Sequence, residues 1–227
     1  MNDSEWDTCS DPSKLLKCLR GMGKVSERKL RLFAIACCQF LLSEQPDGLL
    51  RHGIETAERY AEGRSSKAAL KRTRQSLSAG RHAISTTSVE ENARWWAYWL
   101  VEVVNTENAY RVFTEELHRV AELRLTTLRP TTWRTIDPSW QCNLLRDIFG
   151  NPFRTRSVDS QWVEWNDRIV LRLAQSIYDE YASDRMPILA DALEEAGCTD
   201  AAILNHCRQP GEHVRGCWVV DLILGKS

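Results

Sequence analysis

Five residues of the kinds that bind metals or do thiol chemistry crowd into twenty positions near the C-terminus: Cys198, His206, Cys207, His213 and Cys217. The chain of 227 residues has eight cysteines and five histidines. An even spread would leave less than one cysteine in that window, and it holds three. Thiolate and imidazole are donors that Zn²⁺ takes in tetrahedral sets of four. The spacing Cys-x7-His-Cys-x5-His-x3-Cys ends like the closing half of a zinc finger, but the opening pair of cysteines two to four apart is missing. His206 and Cys207 are neighbours, so both are hard to turn toward one ion from a helix. A structural reading stands beside the zinc one. In it the cysteines pack under helix ends and the apolar run Cys217 to Leu224 plugs the core, leaving His213 and Arg215 exposed.

Other candidates are weaker. Cys37-Cys38 sits in the middle of an apolar helical face, where no cation or helix N-terminus would lower a thiol pKa, so core packing is expected. Glu115-Glu116-Leu117-His118 contains the Glu-x-x-His spacing of di-iron bundles, but no second copy exists in the chain. The dipeptides Gly23-Lys24 and Gly225-Lys226 lack the upstream glycine of a phosphate loop, since Cys18 and Val220 stand there. Gly-x-Ser-x-Gly, His-Glu-x-x-His and Gly-x-Gly-x-x-Gly are absent. Scattered polar residues, among them Arg146, Asp147, Asp167, Asp184, Arg185 and Asp191, could line a cleft that one sequence does not assemble.

Two surface features suggest partners. Between Gly63 and His82 the cations Arg64, Lys67, Lys71, Arg72, Arg74 and Arg81 occur with no acid among them. They could contact phosphates, although no recognition-helix core surrounds them. The run Trp95-Trp96-Ala97-Tyr98-Trp99 places aromatics all round a helix, as in a buried helix or an interface. Trp95, Trp96 and Trp99, with His213 and Arg215, are therefore the candidate protein interface.

The elements that must carry these residues read as helical nearly throughout, with no run of period-two alternation. Asp11, Ser26, Ser88 (with Glu91 in a capping box), Asp159 and Asp184 read as helix caps. A further helix opens at the turn Pro46-Asp47-Gly48, another at Asp137-Pro138, and a short one at Thr199. Gly63 to His82 reads as a short exposed helix or a connector. From Ser88 a single helix to about Leu125 is favoured over a break at Asn105, because Trp96, Trp99, Leu100 and Val103 are in phase with Tyr110, Phe113, Leu117 and Val120. Trp162, Trp165, Ile169, Leu173, Ile177 and Tyr181 form the expected inner face of the helix after Asp159.

The expected fold is all-α: eight to ten helices in an irregular bundle around one core. A region 1–130 with the basic insert at 63–82 and a region 131–227 meet at the loop Leu128–Asp137, as parts of one compact domain. A net charge of −1 argues against a general polyanion binder. The polar, acidic N-terminus lacks the form of a secretory signal, and no apolar run reaches membrane-spanning length. A cytoplasmic location follows, with reduced thiols.

The segments SERKLRLFAIACC, LLRDIFGNPFR, DRMPILADALEEAGC and HCRQPGEHVRGCWVVDLILGK resemble a family of uncharacterised bacterial proteins abundant in planctomycetes. The resemblance covers both ends of the chain and implies a bacterial, cytosolic origin; it brings no activity, cofactor or catalytic residue with it. The expected function is a non-enzymatic helical scaffold or interaction module. It would bind another protein through the Trp-rich helix or the Gly211–Trp218 loop, with no catalytic residue and no required cofactor. A zinc-binding domain built on the C-terminal cluster and a nucleic-acid-associated regulator acting through residues 64–81 are the alternatives.

Overall fold

A computed structural model describes residues 1–42, 47–108, 139–211 and 213–226, with the backbone alone at Val89. The described residues are all-helical. Eleven α-helices run α1 (Asp3–Thr8), α2 (Pro12–Gly21), α3 (Glu27–Leu41), α4 (Gly48–Ala61), α5 (Lys67–His82), α6 (Val89–Val104), α7 (Ser139–Phe149), α8 (Ser160–Glu180), α9 (Met186–Glu195), α10 (Ala201–Arg208) and α11 (Trp218–Leu224). The described residues alone thus hold one helix more than the upper count expected from sequence. None of the described helices is long and apolar enough to cross a membrane.

The helix starts follow local chemistry. Asp11, Ser26, Asp47, Ser66 and Asp159 each accept a backbone N–H from the first turn that follows. Ser88 and Glu91 form a reciprocal capping box. Asp184 does not cap: it lies in a short 3₁₀ turn, Ser183–Arg185, and α9 begins at Met186 with Pro187 in its first turn and no side-chain cap. The expected start at Thr199 falls one residue later, where Asp200 accepts from Ala202 and Ile203.

The chain divides into two compact units. One comprises Cys9–Asn143. Inside it α3 packs on α4 and α6, and α5 packs on α4 and α6. The basic stretch is neither short nor a connector: α5 has sixteen residues and buries Leu70, Thr73 and Leu77. Those positions recur at three and four, which makes one side of an otherwise charged helix apolar enough to dock. Helix α6 ends at Val104 rather than running on. The Asn105 side chain folds back to donate to the carbonyls of Gly53 (2.9 Å) and Val101 (2.8 Å). The buried Arg31 guanidinium donates to the carbonyls of Val104, Thr106 and Glu107 at 2.7, 2.8 and 3.0 Å, satisfying acceptors that the helix end leaves open. Tyr110, Phe113, Leu117 and Val120, the Glu115–His118 motif, the loop Leu128–Asp137 and the start at Asp137-Pro138 lie outside the described residues.

The other unit comprises Met1–Thr8 and Leu144 onward. Its core gathers Val170, Ala174, Ile177 and Tyr178 of α8, Met186, Leu189 and Leu193 of α9, Ile203 and Cys207 of α10, and Val219, Val220 and Ile223 of α11. The inner face of α8 is shifted from the expected one, and Tyr181 is exposed. Non-helical backbone angles at Trp165–Arg168 interrupt the helix and reset its phase. The N-terminal stretch, read from sequence only as polar, forms α1 and joins this unit. Trp6 is fully buried and its carbonyl accepts from Arg146 (2.9 Å), while Arg154 holds Asp3 and Asp7 at 2.8 Å each.

Arg31→Met keeps the apolar stem but removes three donors from the end of α6. Urea unfolding of the intact chain should show a loss of about 2–4 kcal/mol; a loss under 0.5 kcal/mol would mean the carbonyls find other partners.

Candidate metal centre

The C-terminal candidates come together by local geometry. Helix α10, capped by Asp200, which also binds Arg156 at 2.9 Å, presents His206 in its last turn. The chain leaves α10 through Pro210-Gly211 and returns in a tight turn, Val214 to Cys217, closed by the Cys217 N–H donating to the Val214 carbonyl at 3.0 Å. Gly216 sits third in that turn with φ +92°, a left-handed conformation that favours glycine. Cys217 then opens α11.

The fourth participant is Asp147 on α7. Its Oδ1 lies 2.6 Å from His213 Nδ1 and 3.2 Å from His206 Nε2. Its Oδ2 accepts the Val214 N–H at 2.9 Å, which fixes the carboxylate plane. Cys217 Sγ lies 3.2 Å from His206 Nε2 and 3.9 Å from His213 Nδ1. One atom from each of Asp147, His206, His213 and Cys217 thus falls within 4.8 Å of the others. All four side chains are at least nine-tenths buried. Trp218 lines the group, its ring 5.1 Å from that of His206. Gly150, φ +65°, closes α7 and lets Trp218 in, because a Cβ there would stand 3.0 Å from the indole.

These four side chains could hold a metal ion. Ligands 2.0–2.3 Å from one tetrahedral ion stand about 3.3–3.7 Å apart. The observed pairs at 2.6, 3.2, 3.2 and 3.9 Å bracket that range. These are four of the six pairs; the group as a whole spans up to 4.8 Å, so closing on one ion takes a shift of about 1 Å in side-chain position.

A cysteine–histidine–aspartate catalytic triad is the competing arrangement, and the geometry opposes it. In a triad the nucleophile and the acid contact opposite nitrogens of one imidazole. Here both Asp147 and Cys217 approach the same nitrogen, Nδ1 of His213 and again Nε2 of His206. Four atoms aimed at one point suit an ion better than a proton relay. The Cys217 thiol is also pushed well up, chiefly by burial and further by the Asp147 charge, the opposite of an activated nucleophile. Burial alone would raise the Asp147 pKa, but hydrogen bonds from His206 and His213 and their charges together outweigh it, so the carboxyl is held below its ordinary range.

No protein-family model, curated protein or solved structure matches the chain.

Of the residues singled out from sequence, His206, His213 and Cys217 belong to the cluster, while Cys198 and Cys207 do not. Both of those are buried in the core of the unit, and burial pushes the Cys207 thiol up to about 12. Adjacent residues on a helix point about 100° apart, so α10 turns His206 to the cluster and Cys207 to the core. Asp147 was visible only as one of several acids; nothing local marks an aspartate at the end of an amphipathic helix, sixty-six residues before His213. His213 is not the exposed residue expected, since its side chain is only 6 % exposed. Of the other polar cleft candidates, Arg146 is spent on Trp6 and Asp191 on Arg208. Cys37 and Cys38 are packed in α3, and burial raises both thiols, Cys38 to about 12.

Five of the six basic residues share α5, and Arg64 precedes it, but they do not share one role. Arg81 is paired with Glu102 at 2.9 Å and stacked on Trp95; Arg74 lies 3.9 Å from Glu102; Lys67 is 3.4 Å from Glu107. Arg64, Lys71 and Arg72 are exposed. Trp95, Trp96 and Trp99 are half-buried and stack edge to face, at 4.4 and 5.7 Å between successive rings.

Alanine at Asp147, His206 or Cys217 should abolish tight uptake of one Co²⁺, read from its visible ligand-field bands. Cys207→Ala and Cys198→Ala should retain it. Retention in the first three, or loss in the last two at unchanged helicity, would contradict the assignment.

Proposed function

We propose that the C-terminal unit is a structural zinc-binding module and that the chain is a non-enzymatic helical scaffold stabilised by that metal. The observation that carries this reading is the convergence of Asp147 Oδ1, His206 Nε2, His213 Nδ1 and Cys217 Sγ inside 4.8 Å. One thiolate, two imidazoles and one carboxylate match the donor preferences of Zn²⁺ better than those of Mg²⁺ or Ca²⁺, which take oxygen. Charge supports it as well. A buried carboxylate with a thiolate balances a divalent ion, whereas without one ionised Asp147 rests on the hydrogen bonds and charges of His206 and His213. Four protein ligands leave no open position for a substrate, so the role is structural rather than catalytic. Zinc would tie α7, α10, the return loop and the start of α11 to one point, and its binding energy becomes folding energy.

As partner we favour another protein over nucleic acid, because half of the cations in the basic segment already face glutamates of their own chain. The half-buried Trp95–Trp99 cluster supplies the aromatic surface for it.

Metal analysis of the protein purified without chelator should give close to one zinc per chain. Less than a tenth of an equivalent, after reconstitution with zinc as well, would overturn the proposal.

The histidine outer contacts give a second test. With Nε2 on zinc, His206 carries its proton on Nδ1. Gln209 Nε2 stands 3.2 Å from that atom; with the amide turned over, its oxygen would take that place and accept the proton's hydrogen bond. Gln209→Ala should weaken zinc binding about 10–100-fold in chelator competition with the fold intact. An unchanged affinity would remove Gln209 from the site.

A further inference from the structure

Beside the metal cluster lies a cavity of about 30 Å³, lined by Tyr178, Tyr181, Ser183, His213, Arg215 and Cys217 together with apolar neighbours. It has room for one water-sized or slightly larger occupant. Two of its lining residues carry buried nitrogens that hydrogen-bond to nothing among the described residues: Nε2 of His213 and Nε of Arg215. Buried polar groups in native proteins are nearly always partnered, so two orphans on residues that line one cavity point to a ligand there.

We propose that this cavity binds a small monovalent anion, chloride being the probe, between Arg215 Nε–H and His213 Nε2–H. The inference rests on the zinc reading at one point: with Nδ1 on the metal, the neutral His213 ring carries its proton on Nε2. Both orphan groups are then donors. Water placed between two donors still needs acceptors for its own hydrogens, and an anion does not. Charge points the same way. Arg215 forms no ion pair among the described residues: it donates to the Tyr178 carbonyl at 3.1 Å and lies over the rings of Tyr181 and Tyr178, 4.1 and 4.9 Å from their centroids. A zinc centre with Asp147 and a Cys217 thiolate is neutral and leaves the Arg215 charge uncompensated. The apolar walls would exclude large or strongly hydrated ions.

The test uses the zinc-loaded full chain in chloride against gluconate at constant ionic strength, with zinc content measured in each sample. Chloride should raise Tm saturably by about 2–4 °C. Arg215→Met should keep its zinc and lose the chloride response. Bromide-soaked crystals of the unaltered protein should show an anomalous peak within hydrogen-bonding reach of Arg215 Nε, a readout independent of how the variant folds. Equal Tm in the two salts, or a chloride response retained in Arg215→Met, or ordered density without an anomalous bromide signal, each overturns the anion site while leaving the zinc reading intact. Absence of zinc after reconstitution overturns both.

Discussion

The buried carboxylate of Asp147 is the constraint on which the C-terminal unit turns. Placing an ionised group in an apolar core is costly unless every lone pair is answered. Oδ2 is answered by a backbone N–H of the return loop, and Oδ1 by two imidazoles at once. Those contacts require α10 to end where it does, the loop to bring back His213, and the Gly216 turn to set Cys217 at the head of α11. A divalent ion would resolve the same constraint more completely. It would replace two donors competing for one oxygen with four bonds to one centre, and it would take the Cys217 thiol as thiolate despite the burial that otherwise keeps it protonated.

The surroundings fit a centre that is held still. Trp218 covers His206 and packs closely on Gly150, where a Cβ would crowd the indole at 3.0 Å. Arg146 and Arg154, on either side of that glycine, secure α1 through Trp6, Asp3 and Asp7. The stretch from Arg146 to Arg154 therefore serves both the cluster and the N-terminal helix. In the other unit Arg31 plays a comparable organising part, ending α6 by occupying its carbonyls.

Much of this was legible in the sequence wherever the signal was local. Caps at Asp11, Ser26 and Asp159 and the Ser88–Glu91 box depend on residues two or three apart, so the sequence carries their signal whole. The density of cysteine and histidine near the C-terminus marked three of the four cluster residues. What failed was long-range or geometric. Asp147 joins the cluster through the tertiary fold, and an aspartate near a helix end has many commoner uses. Cys198 and Cys207 looked like ligands because composition carries no direction; the helical turn sends Cys207 inward. The break after Val104 needed Arg31, which lies seventy-three residues earlier. The phase of α8 was lost at an interruption that hydrophobic periodicity cannot register.

The most direct measurement of the central claim is X-ray absorption at the zinc edge of the reconstituted protein. The account predicts one sulfur at about 2.3 Å and three nitrogen or oxygen neighbours at about 2.0–2.2 Å. Two or more sulfurs would bring Cys207 or Cys198 into the site, and a shell of light atoms alone would exclude Cys217; either result contradicts it.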